Sequence, residues 1–287
     1  MTSPFVHLHL HSQYSLLDGA IHIKELVQTA KEFGMPAVAV TDHGNMFGAY
    51  DFYEQAKKAG IKPILGCEVY VAPQSRHDKT QRGSFHLVLL ARTQQGYQNL
   101  KYLVSMGYSE GFYYTARIDK ELLAQHTEGL IGCSACLGGE VARSFAEHGY
   151  DKAKAAAQSL KDIFEPGMFF LEVQNNGYAP QAAYNAALKR IGEELDIPLV
   201  GTNDCHYLKS TDAKAHEVLT CINSNSTLDS LSPDRHYSDQ LYLKNNDEMR
   251  QALHAFPEAY DNTLKIAQMC EDVSPKNPVD WPDYQIP

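Results

Sequence analysis

The chain has 287 residues, 44% hydrophobic and 21% charged, with 25 Lys and Arg against 35 Asp and Glu for a net charge of −10. That composition buries a real core and excludes collagen-like, coiled-coil and disordered classes; the sign of the charge excludes blanket attraction to a phosphate backbone, so a nucleic-acid contact has to be local or metal-mediated. No apolar run approaches the about 18–20 residues that span a bilayer, and His7, His9 and His11 break the N-terminal run, so the expected location is cytoplasmic with no membrane contact.

Apolar, β-branched runs alternate with segments of helical period, the pattern of repeated β-α units around a parallel sheet. Phe5–Leu10 predicts a strand and Ile23–Phe33 a helix, then Ala37–Thr41 a strand and Phe47–Lys58 a helix. Pro63–Val71 and Phe85–Ala91 predict two strands separated by a polar surface loop, Pro73–Gly83. Helix Gly96–Met106, strand Leu130–Ser134, the helical pair Val141–His148 and Asp151–Ile163, and strand Met168–Val173 follow. Helix Pro180–Leu195, strand Leu199–Thr202, helix Asp212–Ile222 and an irregular loop Asn223–Asp239 close the series. From Glu271 onward Pro275, Pro278, Pro282 and Pro287 exclude a helix or central strand. The expected organisation is a domain of residues 1–270 and an extended connector of residues 271–287. Seven strands fit either a seven-stranded barrel or an open doubly wound sheet.

The six cysteines are scattered and read as reduced thiols, whereas the 13 histidines fall repeatedly beside carboxylates at the ends of strands. In the run from His7 to His11 three imidazoles alternate with leucines, so a regular strand points His7, His9 and His11 to one face and Val6, Leu8 and Leu10 to the other. Three imidazoles together are costly unless solvated or metal-bound, which favours a ligand comb. Asp42-His43 after the second strand, Glu68 in the third, His86 at the start of the fourth and Asp204-Cys205-His206 after the last repeat the theme. Singly each has a plainer explanation, Asp42 as a helix cap, Glu68 as a solvated strand residue, His86 as a core histidine. Together they converge, because side chains at the carboxyl ends of different strands meet at one mouth. His86 reaches that mouth only if Val69–Ala72 and Ser84–Leu87 form a hairpin. Cys133 and Cys136 have CxxC spacing without the neighbours of a redox motif, and Cys136 lies where a ligand would lie. Imidazoles and carboxylates without a cysteine cage suit zinc, manganese or iron in multi-metal hydrolytic sites.

The combination of His9 and His11 with Asp18-Gly19, Thr41-Asp42-His43-Gly44-Asn45, the run from Lys62 to Glu68, Phe85-His86-Leu87, Cys136-Leu137-Gly138 and Thr202-Asn203-Asp204-Cys205-His206 resembles the polymerase-and-histidinol-phosphatase (PHP) domain. More narrowly, it is similar to the form found at the N-terminus of alpha subunits of bacterial replicative DNA polymerase III, from about Phe5 to Cys270, including non-catalytic stretches such as Gly96–Leu100, Arg117–Asp119 and Ala215–Leu219. The resemblance implies an α/β fold, a distorted seven-stranded (β/α)7 barrel with its metal site at the carboxyl ends of the strands. It implies three divalent ions: the first on His9, His11, Glu68 and Asp204, the second on Glu68, His86 and Cys136, the third on Asp18, His43 and His206. It gives His7 no ligand role, reducing the comb to two. Cys136 stands where many relatives have histidine, and its softer thiolate favours zinc or iron there.

The implied chemistry is phosphoester hydrolysis by a metal-bound water held by His9, His11, Glu68 and Asp204. In relatives with a full ligand set this is 3′–5′ exonuclease proofreading of DNA, with the single-stranded 3′ end as partner and the connector leading into the polymerase body; the domain alone would have no polymerase activity. Two rivals remain: a non-catalytic, metal-holding module that docks a separate proofreading exonuclease, and a stand-alone phosphomonoesterase such as a histidinol phosphatase. Arg76, Lys79, Arg82 and Arg117 are candidates to steer phosphate, and Tyr113 and Tyr114 to stack on a base, against plainer roles in solvation and packing.

Overall fold

The structure, a computed structural model, describes residues 3–230 and 239–276. Seven strands form one sheet: β1 (Ala37–Val40), β2 (Lys62–Val71), β3 (Phe85–Ala91), β4 (Arg117–Ile118), β5 (Leu130–Cys133), β6 (Phe169–Gln174) and β7 (Leu199–Thr202), in the order β1-β2-β3-β5-β6-β7, with β4 on β2. The sheet is parallel except at β3, which runs antiparallel to both β2 and β5. This corrects the all-parallel expectation. It also forms the required hairpin: Tyr70 pairs with His86, so the start of β3 lies at the same end as the finish of β2.

Residues 5–11 close the barrel. Ala39 and Thr41 of the β1 side donate backbone N–H to the carbonyls of His7 (2.8 Å) and Leu10 (2.9 Å). On the other edge His11 donates to Cys205 O (2.8 Å) and Cys205 to His9 O (3.3 Å). Seven staves therefore surround the core, with the N-terminal segment between β1 and β7, in a distorted (β/α)7 barrel.

That segment is not a regular strand. The donors Ala39 and Thr41 are two positions apart, but the acceptors His7 and Leu10 are three positions apart, which is the count of a β-bulge. The extra residue breaks the period-two alternation. Val6 and Leu8 join the interior cluster with Ala39, Ile64, Leu90, Ile131, Phe170 and Val200, while Leu10 joins the cluster that α1 (Ile23–Glu32) and α2 (Ala49–Ala59) pack against. The alternation predicted His7, His9 and His11 on one face opposite Val6, Leu8 and Leu10. Instead Val6, Leu8, His9 and His11 point inward, and His7 and Leu10 outward.

The remaining helices are α3 (Gln94–Ser109), α4 (Lys120–Ala124), α5 (Glu140–His148), α6 (Tyr150–Lys161), α7 (Gln181–Leu195), α8 (Ala213–Ser224), α9 (Asn246–Ala252) and α10 (Pro257–Met269). β4, α4, α9 and α10 are elements that the sequence pattern does not predict. α10 adds Ile266, Ala267 and Cys270 to the interior cluster, so one end of the barrel is sealed by apolar side chains. Among the described residues no helix is long and apolar enough to cross a membrane. Residues 73–83 contain no helix or strand, as expected, and α8 carries helix two residues into the predicted loop 223–239. Residues 271–276 have no regular structure; Glu271 donates its N–H to Arg92 O (2.7 Å) and Val273 is buried against the barrel. Residues 231–238, and the connector's Pro278, Pro282 and Pro287, lie outside the described residues.

Candidate metal centre

Up the barrel interior the inward side chains change character. On β6 the inward series is Phe170, Glu172 and Gln174, on β2 it passes from Ile64 to Glu68, and on β7 from Val200 to Thr202. Buried polar groups therefore replace the apolar floor at the end opposite α10. All the sequence-predicted ligands gather there. His9 Nε2 lies 3.1 Å from His11 Nε2, and the two nitrogens lie 3.2 and 3.1 Å from Asp204 Oδ1. His9 Nε2 is also 3.3 Å from Glu68 Oε1.

Glu68, fully buried, stands between the groups: Oε1 is 2.9 Å from His86 Nδ1, and Oε2 is 2.5 Å from His43 Nδ1. Cys136 Sγ completes the His86 side, 3.8 Å from His86 Nδ1. On the other side His43 Nε2 and His206 Nε2 lie 3.1 and 3.7 Å from Asp18 Oδ2. Three sets of ligand atoms lie within 4.8 Å of one another: His9, His11 and Asp204; Glu68, His86 and Cys136; and His11, His43 and His206.

The turns that carry these residues are held in unusual backbone. Leu17 before Asp18, Ala135 before Cys136, and Asp204 itself have φ of 62, 62 and 52°, a left-handed region that costs non-glycine residues energy and recurs at functional sites. Asn203 fixes the last of them by donating Nδ2–H to the carbonyls of Gln240 and Tyr242 (both 2.8 Å). Asp42 caps no helix; its carboxylate accepts from the Ser12 N–H (2.7 Å) and from the hydroxyls of Ser12 and Ser15, anchoring the loop that follows His11. His7 leaves the cluster, with its Nε2 2.8 Å from Lys244 O.

The electrostatics fit a cation. Glu68 Oε1 and Asp204 Oδ1 are buried and receive no hydrogen bond of acceptable geometry. With protons on Nδ1, the Nε2 lone pairs of His9 and His11 face each other and the Asp204 oxygen, an arrangement that repels itself unless a positive charge enters. In the protein alone, protons fill that role. Burial works against charging His9 and His43, but carboxylates overcome it: Asp204 and Glu172 raise His9 well above its usual value, and Glu68 and Asp18 push His43 up to about 10. His11 goes the other way, down to about 3, from burial and then the neighbouring His43 and His206. Burial alone would raise Asp18, Glu68 and Asp204; the surrounding imidazoles hold them below the usual carboxylate range. Burial also pushes the Cys136 thiol up, so thiolate there requires a partner cation.

Two residues beside the centre escaped sequence reasoning. Glu172 Oε1 accepts from His9 Nδ1–H at 2.6 Å, and His216 Nε2 on α8 lies 3.3 Å from Asp18 Oδ1. A lone Glu inside an apolar strand was the available signal for the first; nothing in the helical pattern distinguished the second. Of the candidate phosphate-steering residues, three hold the loop together. Arg76 pairs with Glu110 and Asp119, Lys79 donates to the carbonyls of Arg76, Glu110 and Phe112, and buried Arg117 donates to those of Gly111, Gln81 and Asp78. Arg82 instead lies over the ring of Tyr114, 4.3 Å from its centroid.

Lys244 braces the Asp204 turn from below, donating to Asn203 Oδ1 (3.1 Å) and to Gln240 O. Burial lowers its pKa to about 8, against the opposing pull of Cys205, Glu248 and Asp239. A lysine depressed in the folded state binds fewer protons than in the unfolded chain between about pH 8 and its ordinary 10.5, so its contribution to stability rises with pH across that window. Urea melts of the wild type and Lys244→Met at pH 7.5 and 9.5 are expected to differ by a wild-type gain at the higher pH; an unchanged difference would contradict it.

A family profile described as PHP domain matches residues 7–176, ending before Asp204 and His206. The chain is 42% identical over 291 residues to a protein named DNA polymerase III subunit alpha from Borreliella burgdorferi, covering 99% of this chain and 25% of that one. It is 45% identical over 280 residues to a protein of the same name from Thermus aquaticus, covering 93% and 23%. The chain thus spans about a quarter of the length of the curated relatives it matches. Among solved structures, a chain described as a candidate metal-dependent phosphoesterase from Bifidobacterium adolescentis is similar with TM-score 0.43 and 16% identity, covering 87% of this chain and 95% of that one.

Proposed function

Because the chain belongs to the PHP-domain family and is similar over almost its whole length to DNA polymerase III alpha subunits, we propose that it is the N-terminal PHP domain of such a subunit, a metal-dependent phosphoesterase that removes nucleotides from the 3′ end of a DNA strand. The observation that carries the reading is the pair of buried, unpaired carboxylate oxygens, Glu68 Oε1 and Asp204 Oδ1, faced by imidazole nitrogens at 2.9–3.3 Å. His9, His11, Glu68 and Asp204 would hold one divalent ion, Glu68, His86 and Cys136 a second, and Asp18, His43 and His206 a third, zinc, manganese or iron by donor type. Bound there, such ions supply Lewis acidity and a nucleophile at neutral pH.

Residues 1–270 would form the domain, and 271–287 the connector into the remainder of a cytoplasmic polymerase chain. A positive centre of this kind reverses the local field of an acidic protein. Strand binding is supported by the turn after α3. β4 sets Arg117 level with Tyr70, which is itself level with His86, so the turn borders the centre. Tyr114, 61% exposed under Arg82, and Phe112, stacked on Tyr108, offer faces to unpaired bases.

The test is hydrolysis by the 287-residue chain with Mn2+ of 3′-labelled single-stranded DNA, a small phosphodiester and a small phosphomonoester. The expected result is release of 3′ nucleotides that a chelator stops. Replacing both Arg82 and Tyr114 with alanine is expected to raise KM for the strand by about 5-fold or more, the effect of one lost stacked base, and to leave the small phosphodiester unaffected. Bound metal with no hydrolysis would overturn the reading in favour of a module that docks a separate exonuclease. Hydrolysis of the phosphomonoester alone would favour a stand-alone phosphatase.

A further inference from the structure

Glu172 is outside every set of ligand atoms at the centre, yet it is a carboxylate buried to 1% exposure inside the barrel. Its Oε1 accepts three hydrogen bonds, from His9 Nδ1–H (2.6 Å), Gln174 Nε2–H (2.9 Å) and Thr202 Oγ1–H (2.5 Å). Its backbone N–H donates to Ser134 Oγ (2.9 Å), so neighbours on β6, β7 and the end of β5 fix it. Its Oε2 is buried without a hydrogen-bond partner. Hydrogen bonds to Gln174 and Thr202 need no charge, and a buried carboxylate with one bare oxygen is expensive. Packing therefore does not account for an acid at this position.

We propose that Glu172 is a positioning residue for metal binding: it acts through His9, fixing the imidazole proton on Nδ1 and leaving the Nε2 lone pair free toward the ion that His9, His11, Glu68 and Asp204 would share. A neutral histidine has one proton for two nitrogens, and the partner of one nitrogen decides which carries it. Glu172 accepts at Nδ1, so the proton that an entering cation displaces is the one on Nε2, which faces His11 and Asp204. Its negative charge also makes Nε2 a stronger donor, the effect of a carboxylate behind a ligating imidazole. His11 has a weaker counterpart, Ser15 Oγ at 3.1 Å from Nδ1, so the two histidines of the comb differ in what stands behind them.

The inference rests on the metal reading of the site, and one experiment separates the two. Zn2+ is titrated against a competing chelator into the wild-type chain, Glu172→Gln and Glu172→Leu, and each metal-free protein is melted alongside. Glu172→Gln is expected to weaken one bound equivalent about 10–100-fold and leave the others within threefold, beyond any change in its metal-free melting temperature from the lost His9 pair. Glu172→Leu, which removes the acceptor as well, is expected to weaken the same equivalent at least as much. In the Zn2+-loaded wild type the 15N spectrum of His9 is expected to show Nδ1 protonated and Nε2 metal-bound. Wild-type protein that binds no Zn2+ overturns the metal reading. Wild type that binds while Glu172→Gln binds equally well, or a variant whose defect is a lower metal-free melting temperature with unchanged affinity, overturns the role of Glu172 alone.

Discussion

Asp204→Asn is expected to lower phosphodiester hydrolysis by about 1,000-fold or more, while His7→Gln leaves it within a few-fold of wild type. Each part follows from which way one side chain points. Asp204 Oδ1 is the atom on which the lone pairs of His9 and His11 converge, at 3.2 and 3.1 Å. The amide of asparagine keeps the volume but removes the charge, and its N–H groups satisfy those lone pairs directly, so the variant fills the ion's place with its own hydrogen bonds. Metal at a hydrolytic centre lowers the barrier by several kcal/mol, and losing about 4 kcal/mol of that is the thousandfold expected. The asparagine variant is cleaner than His9→Ala, which would also strand the buried Glu172 carboxylate without its His9 partner. His7 carries the same side chain in the same short motif, but the bulge turns it outward onto Lys244 O and Cys205. Its pKa falls to about 4, because burial opposes charge, with the Lys244 carbonyl pulling the other way, so it is a neutral structural imidazole. Glutamine retains a donor for the carbonyl. Rates on the small phosphodiester, with folding checked by circular dichroism, decide it. Equal losses in the two variants would mean that the bulge does not separate the histidines functionally.

That bulge marks how far the sequence could be read. All seven staves of the barrel were legible as apolar runs, because strands buried on both faces are nearly continuous in hydrophobicity. The same property hid Glu172, which sits in such a run between Leu171 and Val173 and is exposed only by asking why an acid is there. Period-two alternation gave the wrong partition of His7 to His11, since an inserted residue is invisible to a pattern that assumes none. β3 could be placed against its neighbours only by supposing that His86 belongs to the mouth; periodicity has no direction, so a parallel and an antiparallel strand look alike. The helices that were missed had local signals. Asn245 and Glu248 form a capping box at the start of α9, and Pro257 opens α10 at the position where a missing N–H costs nothing. Convergence of His9, Asp18, Glu68, Cys136 and Asp204 is different in kind. Their separation along the chain reaches nearly 200 residues, so only closure of the barrel brings them together.

Chelation is expected to lower the melting temperature, and by more at pH 8.5 than at pH 6. Ions held at 100 times their dissociation constant stabilise a fold by about 2.7 kcal/mol each. For a chain of 287 residues that is about 4–5 °C per ion. The pH dependence comes from what replaces the ions once they are removed. His43 rises to about 10, and His9 and His206 also rise, against burial, because carboxylates surround them. A histidine raised in the folded state contributes stability that is complete below its unfolded value near 6.5 and is lost as pH climbs through the folded value. Metal-free protein is therefore held together by protonated imidazoles at pH 6 and progressively loses that support above it. The carboxylates do not offset this, since Asp18, Glu68 and Asp204 are depressed and their contribution changes only in acid, well below the window. Metal acts in the opposite sense, because it must displace those same protons to bind, so its stabilisation grows as pH rises. Calorimetric scans with and without chelator at the two pH values measure both effects. A chelator-induced drop that is absent, or of the same size at pH 6 and 8.5, would mean that protons and metal do not compete for these side chains.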